Sequence, residues 1–170
     1  MPGAEREGYP MITDTDLRYL RRCVELARQA LEAGERPFAS VLVAADGTVL
    51  KEDHNRANST GDPTRHPEFE LARWAATSMT PEQRAAATVY TSGEHCPMCA
   101  AAHGQVGLGR IVYITSAAQF TELLEELSLP KRTVTPIPAQ DLVPGITVEG
   151  PVPEFAGEVR ELQRKYFARA

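Results

Sequence analysis

A chain of 170 residues, 42% hydrophobic and 24% charged, has the size and apolar content of one domain built on a single core. Its net charge of -5 argues against a dedicated nucleic-acid binder, which needs a clustered basic surface to neutralise phosphates. Three cysteines, two of them in one Cys-x-x-Cys, supply no disulfide framework; with no signal-like apolar run at the start and no membrane-spanning stretch, a soluble cytoplasmic protein is expected.

In chain order, residues 1–12 are expected to lack structure. Asp14 or Thr15 then caps a helix whose apolar residues Leu17, Leu20, Val24, Ala27, Ala30 and Leu31 recur at helical spacing, and Gly34 ends it. Cys23 lies among these neighbours and reads as core. The apolar run 38–44, the dipeptide Asp46-Gly47 and the run 48–52 predict a β-hairpin. Residues 55–64, rich in Asn, Ser, Gly, Asp and Pro, predict a loop. A helix is expected from His66 through Ala76, where Pro67 suits the first turn because its missing N–H has no helical partner there. A strand over 87–91, a helix over 97–108, a strand over 110–115 and a helix over 120–127 follow. Strands separated by helices imply parallel pairing through crossovers, hence an α/β domain with a mixed sheet covered on both faces. Beyond Lys131, prolines at 136, 138, 144, 151 and 153 interrupt the pattern, leaving one predicted strand over 132–137 and a terminal helix over 153–170. Residues 1–170 read as a single domain.

Two short segments carry chemistry. His66-Pro67-Glu68 and Cys96-Pro97-Met98-Cys99 supply one neutral nitrogen ligand, two thiolates and a free carboxylate, the inventory of a catalytic zinc site. Cys96 and Cys99 are three residues apart, so at a helix start near Pro97 both sulfurs can grip one ion, and the positive helix end favours their thiolates. His66 begins another helix, and the three ligands leave a fourth position for water. Glu68, two residues from His66, leans toward the metal without ligating it and takes a proton from that water. A lone Cys-x-x-Cys also suits a redox pair; the upstream His-x-Glu is what argues for zinc. The rival is a closed structural site with His54, His95 or His103 as fourth ligand, but adjacent residues diverge at a helix start and His103 lies a turn deeper. Asn55 taken alone reads as a loop-capping residue. The last helix carries Arg160, Arg164, Lys165 and Arg169 with Tyr166 and Phe167, read as a solvated face with two core aromatics rather than an RNA contact.

These motifs resemble the cytidine-deaminase-like superfamily, in the branch containing guanine deaminase, cytosine deaminase and tRNA adenosine deaminase. The resemblance runs from residue 14 to 114: 37–43 looks like the first strand, 54–56 the end of the second, 62–68 the first zinc segment and 91–99 the second. It implies a five-stranded mixed sheet in three α-β-α layers, a homodimer, and a zinc cofactor on His66, Cys96 and Cys99. It further implies Glu68 as the catalytic proton shuttle and Asn55 as a hydrogen-bonding partner of the substrate ring, with Phe38 beside it. Two positions depart from the family pattern. His95 stands where Pro is usual, and Pro67 where Ala, Val, Gly or Cys is usual; the family residue at 67 can offer its N–H to a ring carbonyl, and proline has none. Both are placed as substrate contacts. A C-terminal segment can close over the pocket in guanine-deaminase-like members, which makes residues 153–170, with Tyr166 and Phe167, a candidate cover. The implied activity is hydrolytic removal of an exocyclic amine as ammonia from a small nucleobase, nucleoside or related amino-heterocycle. The other readings are a tRNA adenosine deaminase and a catalytically silent, zinc-stabilised interaction domain.

Overall fold

The computed structural model describes residues 12–169. The expectation for residues 1–12 therefore lies outside them except at Ile12, which packs against the core. In order come α1 (Asp14–Glu32), β1 (Ala39–Val43), β2 (Val49–His54), α2 (Ala57–Thr60), α3 (Pro67–Ser78), α4 (Pro81–Ala86), β3 (Thr88–Gly93), α5 (Pro97–Val106), β4 (Ile111–Thr115), α6 (Ala117–Glu126), α7 (Ala139–Leu142), β5 (Val148–Glu149) and α8 (Pro153–Phe167). The five strands form one mixed sheet ordered β2-β1-β3-β4-β5. β1 is antiparallel to both neighbours, whereas β3, β4 and β5 pair in parallel.

Strand alternation assigns side chains to the two faces. Val41, Tyr90, Val112 and Ile114 face a core completed by Leu20, Val24 and Ala27 of α1 and by Phe155, Val159 and Leu162 of α8. Leu42 and Val89 face the opposite side, against Leu71 and Ala75 of α3. Both faces are covered, so β1 is buried at all five positions and reads as an apolar run broken only at Ser40. This is the three-layer α-β-α, cytidine-deaminase-like fold.

Three expectations need correction. Thr13 caps α1 instead of Asp14 or Thr15, because Thr13 and Asp16 form a reciprocal capping box. Residues 132–137 form no strand and lie largely in solvent, with Val134 54% and Ile137 40% exposed. The fifth strand is instead Val148–Glu149, which continues the parallel ladder beside Ile111 and Val112. Residues 55–64 also contain the short helix α2 within the expected loop.

Asp16 joins α1 to the sheet. Its carboxylate accepts from the Tyr90 hydroxyl of β3 at 2.6 Å and from Arg110 at 2.7 Å, while Arg110 also pairs with Glu149 of β5. Burial pushes the Asp16 carboxyl up, but Arg110, Thr13 and Tyr90 outweigh it and hold it well below the usual carboxylate range. A depressed folded value contributes stability that is present above the unfolded value, about 3.9, and lost as pH falls toward the folded one. Asp16→Asn is therefore expected to destabilise the protein by roughly 3 kcal/mol at pH 7, since it leaves Arg110 half-paired. Urea titrations should show the gap between wild type and variant narrowing below about pH 4; a pH-independent gap would remove the ionic contribution.

Candidate active site

Strand register gathers the site at one edge of the sheet. Ser40 on β1 lies opposite Asp53 of β2 and Thr91 of β3, so the start of β1 and the ends of β2 and β3 sit side by side. Phe38, Asn55 and residues 94–99 leave the sheet together there. His66 is the N-cap of α3 and Cys96 the N-cap of α5, and neither side chain caps its own helix. Proline follows each as the first helical residue, where no N–H is needed. The imidazole and thiol are thus free to face each other across the two helix starts.

His66 Nδ1 lies 3.6 Å from Cys96 Sγ and 3.5 Å from Cys99 Sγ, and the sulfurs are 3.5 Å apart. Among the described residues, these three form the group able to hold a metal ion. Tetrahedral zinc, with Zn–S near 2.3 Å and Zn–N near 2.0–2.1 Å, needs donor separations of roughly 3.5–3.8 Å, so the triangle fits. One imidazole and two thiolates are also a zinc-type donor set. Two of the histidines considered as fourth ligands meet backbone carbonyls, and the third lies against one of them. His54 Nδ1 is 2.8 Å from the Asn55 carbonyl, His103 Nε2 is 2.7 Å from the Gly109 carbonyl, and His95 packs edge-on against His103.

The charges suit a cation. The Cys99 thiol beside it lowers Cys96 to about 4 despite burial, and His66 adds to this. Cys99 is pushed well up by the neighbouring Cys96 sulfur and by its burial. The hydrogen bond with Cys96 raises His66. The pair favours one thiolate at Cys96, and a bound cation would displace the protons that remain.

Glu68, 7% exposed, stands beside the triangle. Its Oε1 accepts from the Thr91 hydroxyl at 2.9 Å and from Ser40 at 3.2 Å, and its Oε2 lies 3.6 Å from Cys99 Sγ. One oxygen is anchored in the sheet while the other borders the ligands. Burial is the main reason its carboxyl is raised. Asn55 is buried at the end of β2; its Oδ1 accepts from the Ala57 N–H at 3.0 Å and its own N–H donates to the Phe38 carbonyl at 2.9 Å. With Oδ1 committed, Nδ2 is the group it has to offer. Asn55 is thus the loop cap the residue type suggests, and its Nδ2 meets no acceptor among the described residues.

Pro67 is buried at the start of α3. His95 is buried with neither ring nitrogen hydrogen-bonded among the described residues, and burial pushes its imidazole well below the usual range. Phe38 packs against Phe120 and against Phe167 at the end of α8, with centroids 5.4 and 6.4 Å away. Tyr166 accepts a hydrogen bond from Asn58 Nδ2 at 2.8 Å, which ties that helix end to the loop after Asn55. Arg160 and Arg164 both pair with Glu126, so two of the four basic residues in the stripe are engaged within the chain.

Sequence reasoning passed over Ser40 and Thr91; the signal, at Ser40, is a hydroxyl in the middle of an otherwise apolar strand. It also passed over Glu35. That buried carboxylate accepts from the N–H groups of Asn58 and Ser59 at 2.9 and 2.8 Å and braces the loop carrying Asn55.

Residues 13–115 match the cytidine and deoxycytidylate deaminase zinc-binding region. A probable cytosine deaminase of Schizosaccharomyces pombe is 29% identical over 68% of this chain and 69% of its own. Guanine deaminase of Bacillus subtilis is 34% identical over 63% of this chain and 67% of its own. A solved structure from a study of tRNA:A34 deaminases is 26% identical, with a TM-score of 0.55 over 78% of this chain and 96% of that one. These relatives differ in the substrate they are named for: cytosine, guanine and tRNA adenosine. Among the described residues no helix is long and apolar enough to cross a membrane. The fold, the donor triangle and a match that spans both motif segments converge: the chain belongs to the cytidine-deaminase-like family of zinc-dependent hydrolytic deaminases.

Proposed function

We propose that this protein removes an exocyclic amine as ammonia from a small nucleobase, nucleoside or related amino-heterocycle. The observation that carries the reading is a buried carboxylate, pinned at one oxygen by two hydroxyls, beside an imidazole–dithiolate triangle. His66, Cys96 and Cys99 would hold zinc. Zinc in an open three-ligand site supplies the Lewis acidity that brings the pKa of a water to about 7. Glu68 takes the proton of the attacking water at Oε2, delivers it to the ring nitrogen, and then carries the proton of the newly bonded hydroxyl to the leaving amine. A C–O bond forms, the C–N bond breaks, and ammonia departs. Asn55 donates through Nδ2 to an acceptor on the ring, while Phe38 walls one side.

The test is ammonia release by zinc-loaded protein from a panel of cytosine, guanine, their nucleosides, pterins and aminotriazines. Turnover of at least one small heterocycle is expected. Zinc binding with no ammonia from any compound would favour a silent zinc-stabilised domain, and turnover confined to tRNA with salt-sensitive binding would favour the tRNA reading.

Pro67 bears on which ring is preferred. It offers no N–H to a substrate carbonyl, and an unpaired buried acceptor costs about 1–3 kcal/mol. Pro67→Ala is therefore expected to raise kcat/KM for carbonyl-bearing bases by roughly ten- to a hundredfold relative to the best panel substrate. An unchanged ratio, at unchanged zinc content and Tm, would reduce Pro67 to a stiffener of the helix start.

A further inference from the structure

Two buried hydrogen-bond donors have no acceptor among the described residues. Arg132 lies in the irregular stretch between α6 and α7, and its Nη1 is buried without a partner. Gln163, on α8 and 2% exposed, leaves its Nε2 in the same state. Both line one small cavity, together with Phe38, Gly93, Glu94 and Phe120. Gln163 also lines the adjoining cavity of about 110 Å³ between α6 and α8, so there is room beyond the donors.

The guanidinium is held in place. Its central carbon lies 5.1 Å from the centroid of the Phe120 ring, and Phe120 packs edge-on against Phe38. The cavity is joined to the site through its lining: Glu94 stands two residues before Cys96, the Phe38 carbonyl accepts from the Asn55 N–H, and the Cys96 charge is felt at Arg132. Glu94 is the nearby carboxylate, but it forms no ion pair with Arg132 among the described residues. Its Oε2 instead accepts from the Ala117 N–H at 2.7 Å, at the start of α6. Burial disfavours the charged guanidinium here, which a bound anion would reverse. Native interiors rarely leave such donors unpaired, and both side chains line the same cavity. A group with two or more acceptor oxygens satisfies both at once, and a guanidinium favours one that is charged.

We propose that Arg132 and Gln163 bind an anionic group, a carboxylate or a phosphate, carried by the substrate. This rests on the deaminase reading above: the ring lies against Glu68 and its anionic substituent reaches past Phe38 into the cavity. Arg132 sets specificity and takes no part in the chemistry.

Zinc-loaded wild type and Arg132→Gln are titrated calorimetrically with benzoate and with inorganic phosphate. At least one anion is expected to bind wild type and to bind the variant about 10- to 100-fold more weakly, with Arg132→Lys in between. The anion that binds identifies the substituent. No binding of either anion to wild type, or equal binding to Arg132→Gln, overturns the proposal. In parallel, ammonia release is measured for matched rings with and without a carboxylate or phosphate. Arg132→Gln should raise KM for the anionic member at least tenfold more than for its neutral parent; an equal rise for both overturns the proposal. Anion binding that is lost in the variant, with no ammonia from any compound, overturns the deaminase reading and the substrate assignment while the anion site itself stands.

Discussion

Glu68→Gln is expected to keep zinc and fold yet lose at least about a thousandfold in kcat. General acid–base roles are worth about 10²–10⁴-fold, and here one carboxylate serves both the attack and the departure of the amine. The structure supports a clean comparison, because the exchange is nearly isosteric and the carboxamide oxygen can still accept from Ser40 and Thr91 in place of Oε1. What is lost is an oxygen beside the ligand triangle that can hold a proton. Zinc content by atomic absorption and Tm should match wild type, which separates lost chemistry from lost structure. A variant that retains a tenth of wild-type kcat on its best substrate would remove Glu68 from the mechanism.

The ligand triangle was legible because the chemistry fixes both residue types and spacing. A His-x-Glu and a Cys-x-x-Cys, each meeting a proline at a helix start, leave few arrangements, and α3 and α5 begin one residue after His66 and Cys96. β1 was legible for the opposite reason, since a run buried on both faces is apolar at every position but Ser40. The fifth strand was not. Residues 132–137 contain the alternating, β-branched pattern that a strand favours, but no sheet edge receives them. Val148–Glu149 has only two paired residues, and its place depends on the edge of β4 and on Arg110, 39 residues earlier in the chain. The helix α4 did leave a signal that went unread: Thr80 and Gln83 form a capping box around Pro81. Arg132 and Gln163 left none, because they come from distant segments and share a cavity only once α6 and α8 have packed.

Cys99→Ser should drop zinc from about one per chain to less than about a tenth, and lower Tm to the value of chelator-treated wild type. An open site has three protein ligands, so losing one thiolate removes a third of the donors and much of their negative charge. Serine cannot replace it, because its hydroxyl does not ionise readily and the position is fully buried. The destabilisation follows from linkage. Zinc held only by the folded chain stabilises it by about 4 kcal/mol at a thousandfold excess over Kd, and the triangle joins the starts of α3 and α5. Chelation and substitution therefore remove the same contribution and should not add. Cys23→Ala supplies the control. That sulfur is buried in the α1 core, with its thiol pushed well up by burial, and its removal should cost packing while zinc stays bound. Full zinc in Cys99→Ser would break the ligand assignment, and a further fall in its Tm on chelation would show that metal still binds the altered site.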